Sequence, residues 1–422
     1  MLALLRNRSY LNLWLAQIVS QLGDGITKLL IVYLATHLSD NPIVISFVIL
    51  SQIIPSTIFG SFAGPLVDRF SKKTIMFSSD IYRAVIVLLM IPSQNSLTLL
   101  LILIFLEGIG SLFFDPARSA IVPRIVGKEN VTKAISISQA TATAMRMIGP
   151  AIGGVLIGFH DFTAIFSITV VTYLISAVFI IFITNVQTKS QGSNKPKESY
   201  IESYKEGFRV LFNNQGLLAV ILLLLPTMLV VGIINTNMDA VLLYTFKVPP
   251  AHFGFLETSF GIGSLFGAIA ASYLISKLLP HKMMLGSLCA IGVICLLILP
   301  LESLHAMLGL PPIYGWILIL GIACALINVP LGSLFITLTP DHARGRGAAI
   351  FGSLANTMTV IGVLLGGTLA STIGIVYSLA IGGALLVVVT LLFPMLKYYQ
   401  ALKNINQYQG TETNSSETAS SA

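Results

Sequence analysis

Charged residues are scarce in this sequence. Asp, Glu, Lys and Arg make up only 10% of its 422 residues, against about 25% in ordinary soluble domains. Hydrophobic residues make up 55%, and the mean hydropathy is +0.88. A soluble core of this size would need a charged surface, so the composition excludes a single soluble domain. It predicts a polytopic membrane protein, because about twelve spans of roughly 20 residues fit within the chain.

Residue patterns that bind metals, nucleotides or nucleic acids are lacking as well. The three cysteines lie inside apolar runs, and the six histidines form no i, i+4 pair, so we expect no disulfide framework and no metal site. No phosphate-binding GxxxxGK[ST] loop occurs, and no catalytic constellation is visible. The net charge is +7, but the Lys and Arg residues do not form a cluster interleaved with aromatic residues, which argues against nucleic-acid binding. We therefore expect neither an enzyme nor a cofactor.

Apolar runs of spanning length fall into two sets of six, and they predict an all-α membrane protein with twelve transmembrane helices in two six-helix halves. The predicted N-terminal half covers residues 1–184, and the C-terminal half covers 216–396. Between them, 185–215 is a polar cytoplasmic loop whose second part has the apolar stripe of a surface helix. The tail at 397–422 is rich in Ser, Thr, Asn and Gln, and we expect it to be disordered and cytoplasmic.

The distribution of Lys and Arg predicts the orientation. If the N-terminus is cytoplasmic, the inner segments contain twenty of these residues and the outer loops contain only Lys247, while Lys28, Arg83 and Arg146 lie within spans. Because basic residues concentrate on the cytoplasmic side, both termini and the central loop are predicted to be cytoplasmic. The first apolar run, from Leu11 to Leu34, is too long for a cleavable signal.

The two halves also share a sequence pattern. IGPAIGGVL at 148–156, in the fifth span, aligns without gaps with IGVLLGGTL at 361–369, in the eleventh. This indicates two repeats of the same orientation, which is one of the known transporter architectures. Glycines at this spacing favour close helix packing, and a proline permits bending. The residues concerned in the fifth span are Gly149, Pro150, Gly153 and Gly154.

The loop between the second and third spans is GPLVDRFSKK, at 64–73. Gly64 suits a tight turn, and Asp68 could complement the dipole of a nearby helix N-terminus. This order of residues resembles the signature loop of the major facilitator superfamily, although Ser71 stands where that signature usually has Gly. FFDPARSAIVPRIV at 113–126, TPDHARGRGAAIFG at 339–352 and LWLAQIVSQLGDGITKLL at 13–30 are similar to the branch that contains macrolide efflux proteins and the enterobactin exporter.

The resemblance implies a mechanism of alternating access about a central site. It implies that Asp68 docks against the cytoplasmic start of span eleven, and that its basic neighbours reach Asp115 at the end of span four. This cytoplasmic gate would comprise Gly64, Asp68, Arg69, Lys72, Lys73 and Asp115. The Gly-Pro pair of the fifth span resembles a signature associated with antiporters, although plain helix packing explains its glycines equally well.

Span four departs from the pattern of proton-coupled drug exporters. Those proteins typically carry an arginine four residues before a glycine, whereas this chain has Ile104 before Gly108, and Glu107 beside it. Arg83 in span three or Arg146 in span five could supply the missing positive charge.

Asp24 lies near the middle of span one, where an ionised carboxylate costs about 2.5–3.5 kcal/mol or more. Three interpretations are open. Lys28 follows at i+4 and could form a structural ion pair with Asp24; Asp24 could carry the coupling proton; or it could bind substrate together with Asp239 of span seven.

The sequence as a whole predicts a proton-coupled exporter of amphiphilic organic compounds, such as drugs, macrolides or siderophore-like molecules. We expect a monomer in the bacterial plasma (inner) membrane, with the lipid bilayer and the substrate as its partners. Two alternatives remain: an importer of a small metabolite, which the same fold would serve, and a non-transporting membrane receptor.

Overall fold

The computed structural model describes residues 2–184, 208–209, 212–275, 277–339, 344–397 and 399. Throughout this part of the chain the regular elements are helices, and no strand occurs. The predicted surface helix within 185–215 and the predicted tail at 397–422 lie almost entirely outside the described residues.

Within the described residues, fourteen α-helices are numbered here in chain order. The first seven are α1 (Leu2–Leu5), α2 (Arg8–Leu38), α3 (Ile43–Arg69), α4 (Lys72–Ser93), α5 (Leu97–Val126), α6 (Val131–Ile157) and α7 (Phe162–Ile181). The others are α8 (Gln215–Ala240), α9 (Pro250–Leu274), α10 (Pro280–Leu296), α11 (Ile298–Leu308), α12 (Pro311–Leu338), α13 (Arg344–Ile373) and α14 (Ile375–Leu392). A π-helical turn, Val241–Thr245, continues α8, and 3-10 turns occupy Lys128–Asn130 and Phe393–Met395.

Eleven of the described helices are long and apolar enough to cross a membrane, and the bent pair α10–α11 brings the number to twelve if it forms one span. This confirms the predicted twelve-helix plan. The two members of the pair differ in direction by 50°. Pro300 explains the break, because it has no N–H to donate to the carbonyl of Leu296 and so interrupts the helix around Leu297.

Polar residues at the helix starts define where the spans of the first half begin. The side chains of Asn7, Ser71, Ser96 and Asp161 accept hydrogen bonds from backbone N–H groups in the first turns of α2, α4, α5 and α7. These groups have no partner within their own helix, so the side-chain caps stabilise the ends.

The described chain forms two compact units. The first contains the residues up to Thr184 together with Met238–Gly261. The second contains the described residues between 208 and Asn237, and those from Ile262 onward. Residues 238–261 were assigned from the sequence to the C-terminal half, yet they group with the first unit. In the first unit, α2 packs on α6 and α7, α4 packs on α5 and α7, and α3 packs on α5.

The second unit repeats part of this arrangement. Its α10 packs on α12 and α14, as α4 packs on α5 and α7 in the first unit, so the third helix of each half contacts the fourth and the sixth. The predicted repeat is thus visible in the packing of the spans.

The aligned glycines make equivalent close contacts in the two units. A Cβ on Gly149 would lie 2.9 Å from the Cα of Gly25, and one on Gly153 would lie 3.2 Å from the Cα of Ile26. In the second unit, a Cβ on Gly366 would lie 3.0 Å from the Cα of Ile233. The fifth and eleventh spans therefore approach the first and seventh at backbone distance, which only glycine permits.

The predicted loop at 64–73 is much shorter in the structure. Helix α3 continues through Gly64 and Asp68 to Arg69, and α4 begins at Lys72, so only two residues separate them. The assignment of Gly64 to the turn is therefore wrong. The reversal is made instead by Lys72, whose Nζ donates to the carbonyl of Val67 over 2.6 Å, and by the Ser71 cap of α4.

Candidate functional site

Four helices of the first unit bring polar side chains together inside its core. We call this group the charge cluster; it consists of Ser20 and Asp24 on α2, Asp80 and Arg83 on α4, Glu107 on α5, and Tyr173 and Ser176 on α7. Each pair on one helix is separated by three or four residues, so both members lie on the same helical face. Helix periodicity and the packing of α2, α4, α5 and α7 thus build the cluster.

Arg83 is the centre of the cluster. Its Nε donates to Oε1 of Glu107 over 2.8 Å, and its Nη1 donates to the Ser20 hydroxyl over 3.3 Å. Its Nη2 bonds to Asp24 and to the Tyr173 hydroxyl, the latter over 2.8 Å. The guanidinium carbon also lies 4.3 Å from the centroid of the Tyr173 ring, within the range of a cation–π interaction. Only 3% of the Arg83 side chain is exposed.

The three carboxyl groups differ in their access to solvent. The Asp24 side chain is 40% exposed and that of Glu107 is 19% exposed, whereas Asp80 is fully buried. Asp24 also accepts a hydrogen bond from the Tyr173 hydroxyl over 2.7 Å. Asp24 is therefore the carboxyl that can most readily exchange a proton or contact a ligand.

The charges of the cluster do not balance. Asp24, Asp80 and Glu107 face one guanidinium, so full ionisation would leave two uncompensated negative charges in the membrane region. Uncompensated buried charge is strongly unfavourable, and protons or a cationic group would relieve it. Within the described ranges, no group of His, Cys, Asp and Glu has the arrangement of a metal site.

Of the six predicted cavity residues, the structure brings three together: Asp24, Arg83 and Glu107. The suggested ion pair of Asp24 with Lys28 is wrong: Arg83 reaches Asp24 from the neighbouring helix, and Lys28 is exposed one turn further along α2. Arg146 is exposed on α6, a helix that contributes no residue to the charge cluster.

Asp239 occupies a different place, at the end of α8. Its carboxyl lies within hydrogen-bonding reach of Glu257 on α9, and Lys28 acts on it electrostatically. Lys28 and Asp239 thus belong to a second polar group of the first unit, together with Glu257.

Sequence reasoning missed Asp80, Tyr173, Ser20 and Ser176. A signal existed for Asp80, because it precedes Arg83 by three residues and therefore shares its helical face. For Tyr173 and the two serines no signal existed, because polar residues of this kind occur throughout the spans. Only the packing of α2, α4 and α7 determines which of them meet in the cluster.

Most of the predicted gate residues lie near the α3–α4 turn. Lys73 donates to the carbonyl oxygens of Ile181 and Ile183 over 2.6 and 2.8 Å, which places it at the end of α7. Asp115, 64% exposed, pairs with Arg118 of its own helix at 2.9 Å. The side chain of Asp68 lies outside the described part, and its gate role stays a prediction.

Arg118 is the centre of a third polar group, close to Asp115. Its Nη1 donates to Oε1 of Gln17 over 2.9 Å and to the Ser138 hydroxyl. Gln17 in turn donates to the carbonyl of Ser138 over 2.9 Å. Arg118 therefore links α5 to α2 and α6, and its bond to Asp115 leaves that carboxylate already paired.

The helical bundle of eleven to twelve spans, with an internal repeat and charged residues buried among its helices, is that of a major facilitator superfamily transporter. More narrowly, the chain belongs to the transmembrane secretion effector family of this superfamily, whose family model matches residues 1–417.

Individual relatives and solved structures agree with this assignment. Macrolide efflux protein A of Streptococcus pyogenes is 25% identical over 93% of this chain and 97% of that protein. Multidrug efflux pump Tap of Mycolicibacterium fortuitum is 25% identical over 90% of this chain and 95% of that pump. The crystal structure of the nucleoside transporter NupG superimposes with a TM-score of 0.74, at 14% identity, over 91% of this chain and 98% of that one. The last similarity concerns the fold alone.

Proposed function

We propose that this protein is a proton-coupled exporter of amphiphilic organic compounds that works by alternating access in the bacterial plasma membrane. The names of two relatives, a macrolide efflux protein and a multidrug efflux pump, support export over import. The charge cluster supports proton coupling, because it places three carboxyl groups around one buried guanidinium.

Asp24 is the proposed exchange site for the coupling proton. It is the most exposed of the three carboxyls, and it is bonded directly to Arg83. A proton on Asp24 would remove its charge and weaken that ion pair, so that Arg83 would depend on its remaining partners. Because Arg83 joins α2, α4, α5 and α7, this change would alter the balance between conformational states.

The sign of the cluster also bears on the substrate. An excess of negative charge favours a cationic head group, and the apolar spans suit a lipophilic body. A cationic substrate and a proton would both neutralise this charge, and they would compete if both bind at Asp24. Together with alternating access, such competition would allow exchange of the two across the membrane.

Transport by Asp24→Asn tests the proposal. We expect the variant in proteoliposomes to lose substrate accumulation driven by a proton gradient while still catalysing downhill flux and substrate exchange. Asp161→Asn is the matched control, since Asp161 caps α7 by accepting from the N–H of Ala164 over 2.9 Å and Asn can do the same. Wild-type accumulation by Asp24→Asn would refute the coupling role of Asp24. The substrate panel should include macrolides, siderophores and cationic dyes.

The proposed orientation has both termini and the central loop in the cytoplasm. It is supported by the positions of Lys and Arg, twenty of which fall in the inner segments. Cysteines introduced at the exposed residues Asn95 and Glu129, in a chain without its native cysteines, separate the two orientations. An impermeant thiol reagent should label Asn95→Cys in intact cells and Glu129→Cys only after lysis; the reverse pattern would overturn the orientation.

A further inference from the structure

Asp80 is the member of the charge cluster that solvent does not reach. Its exposed fraction is 0%. Its Oδ2 lies 2.5 Å from the Ser176 hydroxyl, and its Oδ1 lies 3.4 Å from the Ser20 hydroxyl. The nearest nitrogen of Arg83 is 3.9 Å from Oδ1, which is beyond hydrogen-bond distance. Asp80 is therefore held by hydroxyl groups, with no direct bond to the cation.

Four of the five N–H groups of the Arg83 guanidinium are directed to other partners. Nε binds Glu107, and Nη2 binds Asp24 and Tyr173. Nη1 is directed to the Ser20 hydroxyl over 3.3 Å. Because no nitrogen of Arg83 comes closer to Asp80 than 3.9 Å, an ionised Asp80 would be a buried carboxylate without a bonded cation, which costs several kcal/mol in a protein interior. The negative charges of Asp24 and Glu107 would raise this cost further.

The single hydroxyl hydrogen of Ser176 is a second argument that Asp80 carries a proton. The Ser176 hydroxyl lies 2.5 Å from Asp80 and 3.1 Å from the carbonyl oxygen of Ala16, but it has only one hydrogen to donate. If Asp80 carries a proton, it donates to Ser176, which donates to Ala16. Both contacts are then hydrogen bonds, whereas an ionised Asp80 would leave the contact with Ala16 without a hydrogen.

We propose that Asp80 is a proton-binding site, occupied by a resident proton while Arg83 is bound to Asp24 and Glu107. The helices packed around it contribute Asp24 from α2, Glu107 from α5 and Tyr173 from α7, and Arg83 from its own helix. Among these groups Arg83 is the cation, and its charge is shared by the two other carboxylates.

A resident proton on Asp80 changes the charge of the cluster from minus two to minus one. One further proton, or one monovalent cationic head group, then suffices to neutralise it at Asp24. This consequence for the exchange ratio rests on the proposed function, but the protonation of Asp80 does not.

Infrared spectroscopy of the purified full-length protein tests the assignment directly. An un-ionised carboxyl has a C=O band separate from the carboxylate bands, and incorporation of aspartate labelled with 13C at the side-chain carboxyl shifts the band of Asp but not of Glu. At neutral pH we expect an Asp-specific band that exchanges slowly in D2O, because Asp80 is enclosed. It should be present in Asp239→Asn, which removes the carboxyl that lies within hydrogen-bonding reach of Glu257, and absent from the double variant Asp80→Asn/Asp239→Asn.

Two results would overturn the proposal: no slowly exchanging Asp band in Asp239→Asn, or a band of Asp239→Asn that persists unchanged in the folded double variant. If the double variant does not fold, Asp239→Asn still decides, because of the two aspartates in the charge cluster Asp24 is 40% exposed and only Asp80 is enclosed. Neither measurement involves transport, so a failure of this proposal is distinguishable from a failure of proton coupling at Asp24.

Discussion

Arg83 on α4 donates its Nε–H to Glu107 on α5 over 2.8 Å, and this bond joins two adjacent spans inside the first unit. Glu107 precedes Gly108 in the span where related proton-coupled exporters carry an arginine. The chain thus has a carboxylate in this region of span four, and it supplies the cation from span three. Of the two candidates for that positive charge, Arg83 and Arg146, the structure places Arg83 beside Glu107.

Removal of Arg83 should destabilise the protein more than removal of Glu107. Arg83→Gln would leave Asp24, Asp80 and Glu107 together without a cation, and breaking a buried pair in this way costs about 3–5 kcal/mol. Glu107→Gln should cost less, because Arg83 keeps its bond to Asp24. Thermal unfolding of the purified variants measures the difference. Adding Asp24→Asn to Arg83→Gln should recover part of the loss, and no recovery would contradict the electrostatic explanation.

Neutralising Lys28 should not rescue Asp24→Asn. The partner of Asp24 is Arg83, while Lys28 is exposed and acts on Asp239. We therefore expect Lys28→Gln to change the melting temperature by the same amount in Asp24→Asn as in the wild-type protein, and transport by the double variant Asp24→Asn/Lys28→Gln to stay uncoupled. Comparison of these proteins by gradient-driven accumulation and by thermal unfolding checks this. A double variant that regains wild-type behaviour would show that Lys28 and Asp24 act as a pair after all.

Gly149→Ala should disrupt the packing of α6 on α2. The added Cβ would lie 2.9 Å from the Cα of Gly25, closer than backbone and side-chain atoms normally approach, and neither helix has a flexible group there that could move. Gly60→Ala is the matched control, because nothing lies within 4 Å of its Cβ position. The melting temperature and the amount of protein in the membrane should fall for Gly149→Ala, and they should stay unchanged or rise for Gly60→Ala. Equal behaviour would refute the packing role.

Much of the fold could be predicted because the bilayer imposes a simple rule on the sequence. A span needs about 20 apolar residues, so runs such as 97–114 and 163–184 correspond to α5 and α7. The helix after the break was missed, since the ninth apolar run was predicted to end at Pro300 and the residues that follow in α11 include Glu302 and His305.

The charge cluster could be predicted only in part. Asp24, Arg83 and Glu107 were recognisable because ionisable residues within spans are rare and costly. Their mutual contacts were not, since a sequence shows i, i+4 neighbours along one helix but not the rotation of one helix against another. For this reason Lys28, four residues after Asp24, was a natural candidate, although the actual partner lies 59 residues further along the chain.

The last prediction concerns Lys73, which we expect to stabilise the end of α7. Its ammonium donates to the carbonyl oxygens of Ile181 and Ile183, where the helix dipole favours positive charge by about 0.3–1 kcal/mol. Lys73→Met should therefore lower thermal stability and speed hydrogen exchange of amides near Ile181. Arg69→Gln is the control: it removes one positive charge from the same turn, but Arg69 is exposed, so both readouts should stay near wild type. If Lys73→Met impaired transport and left exchange near Ile181 unchanged, a gate function of Lys73 would be favoured over this cap.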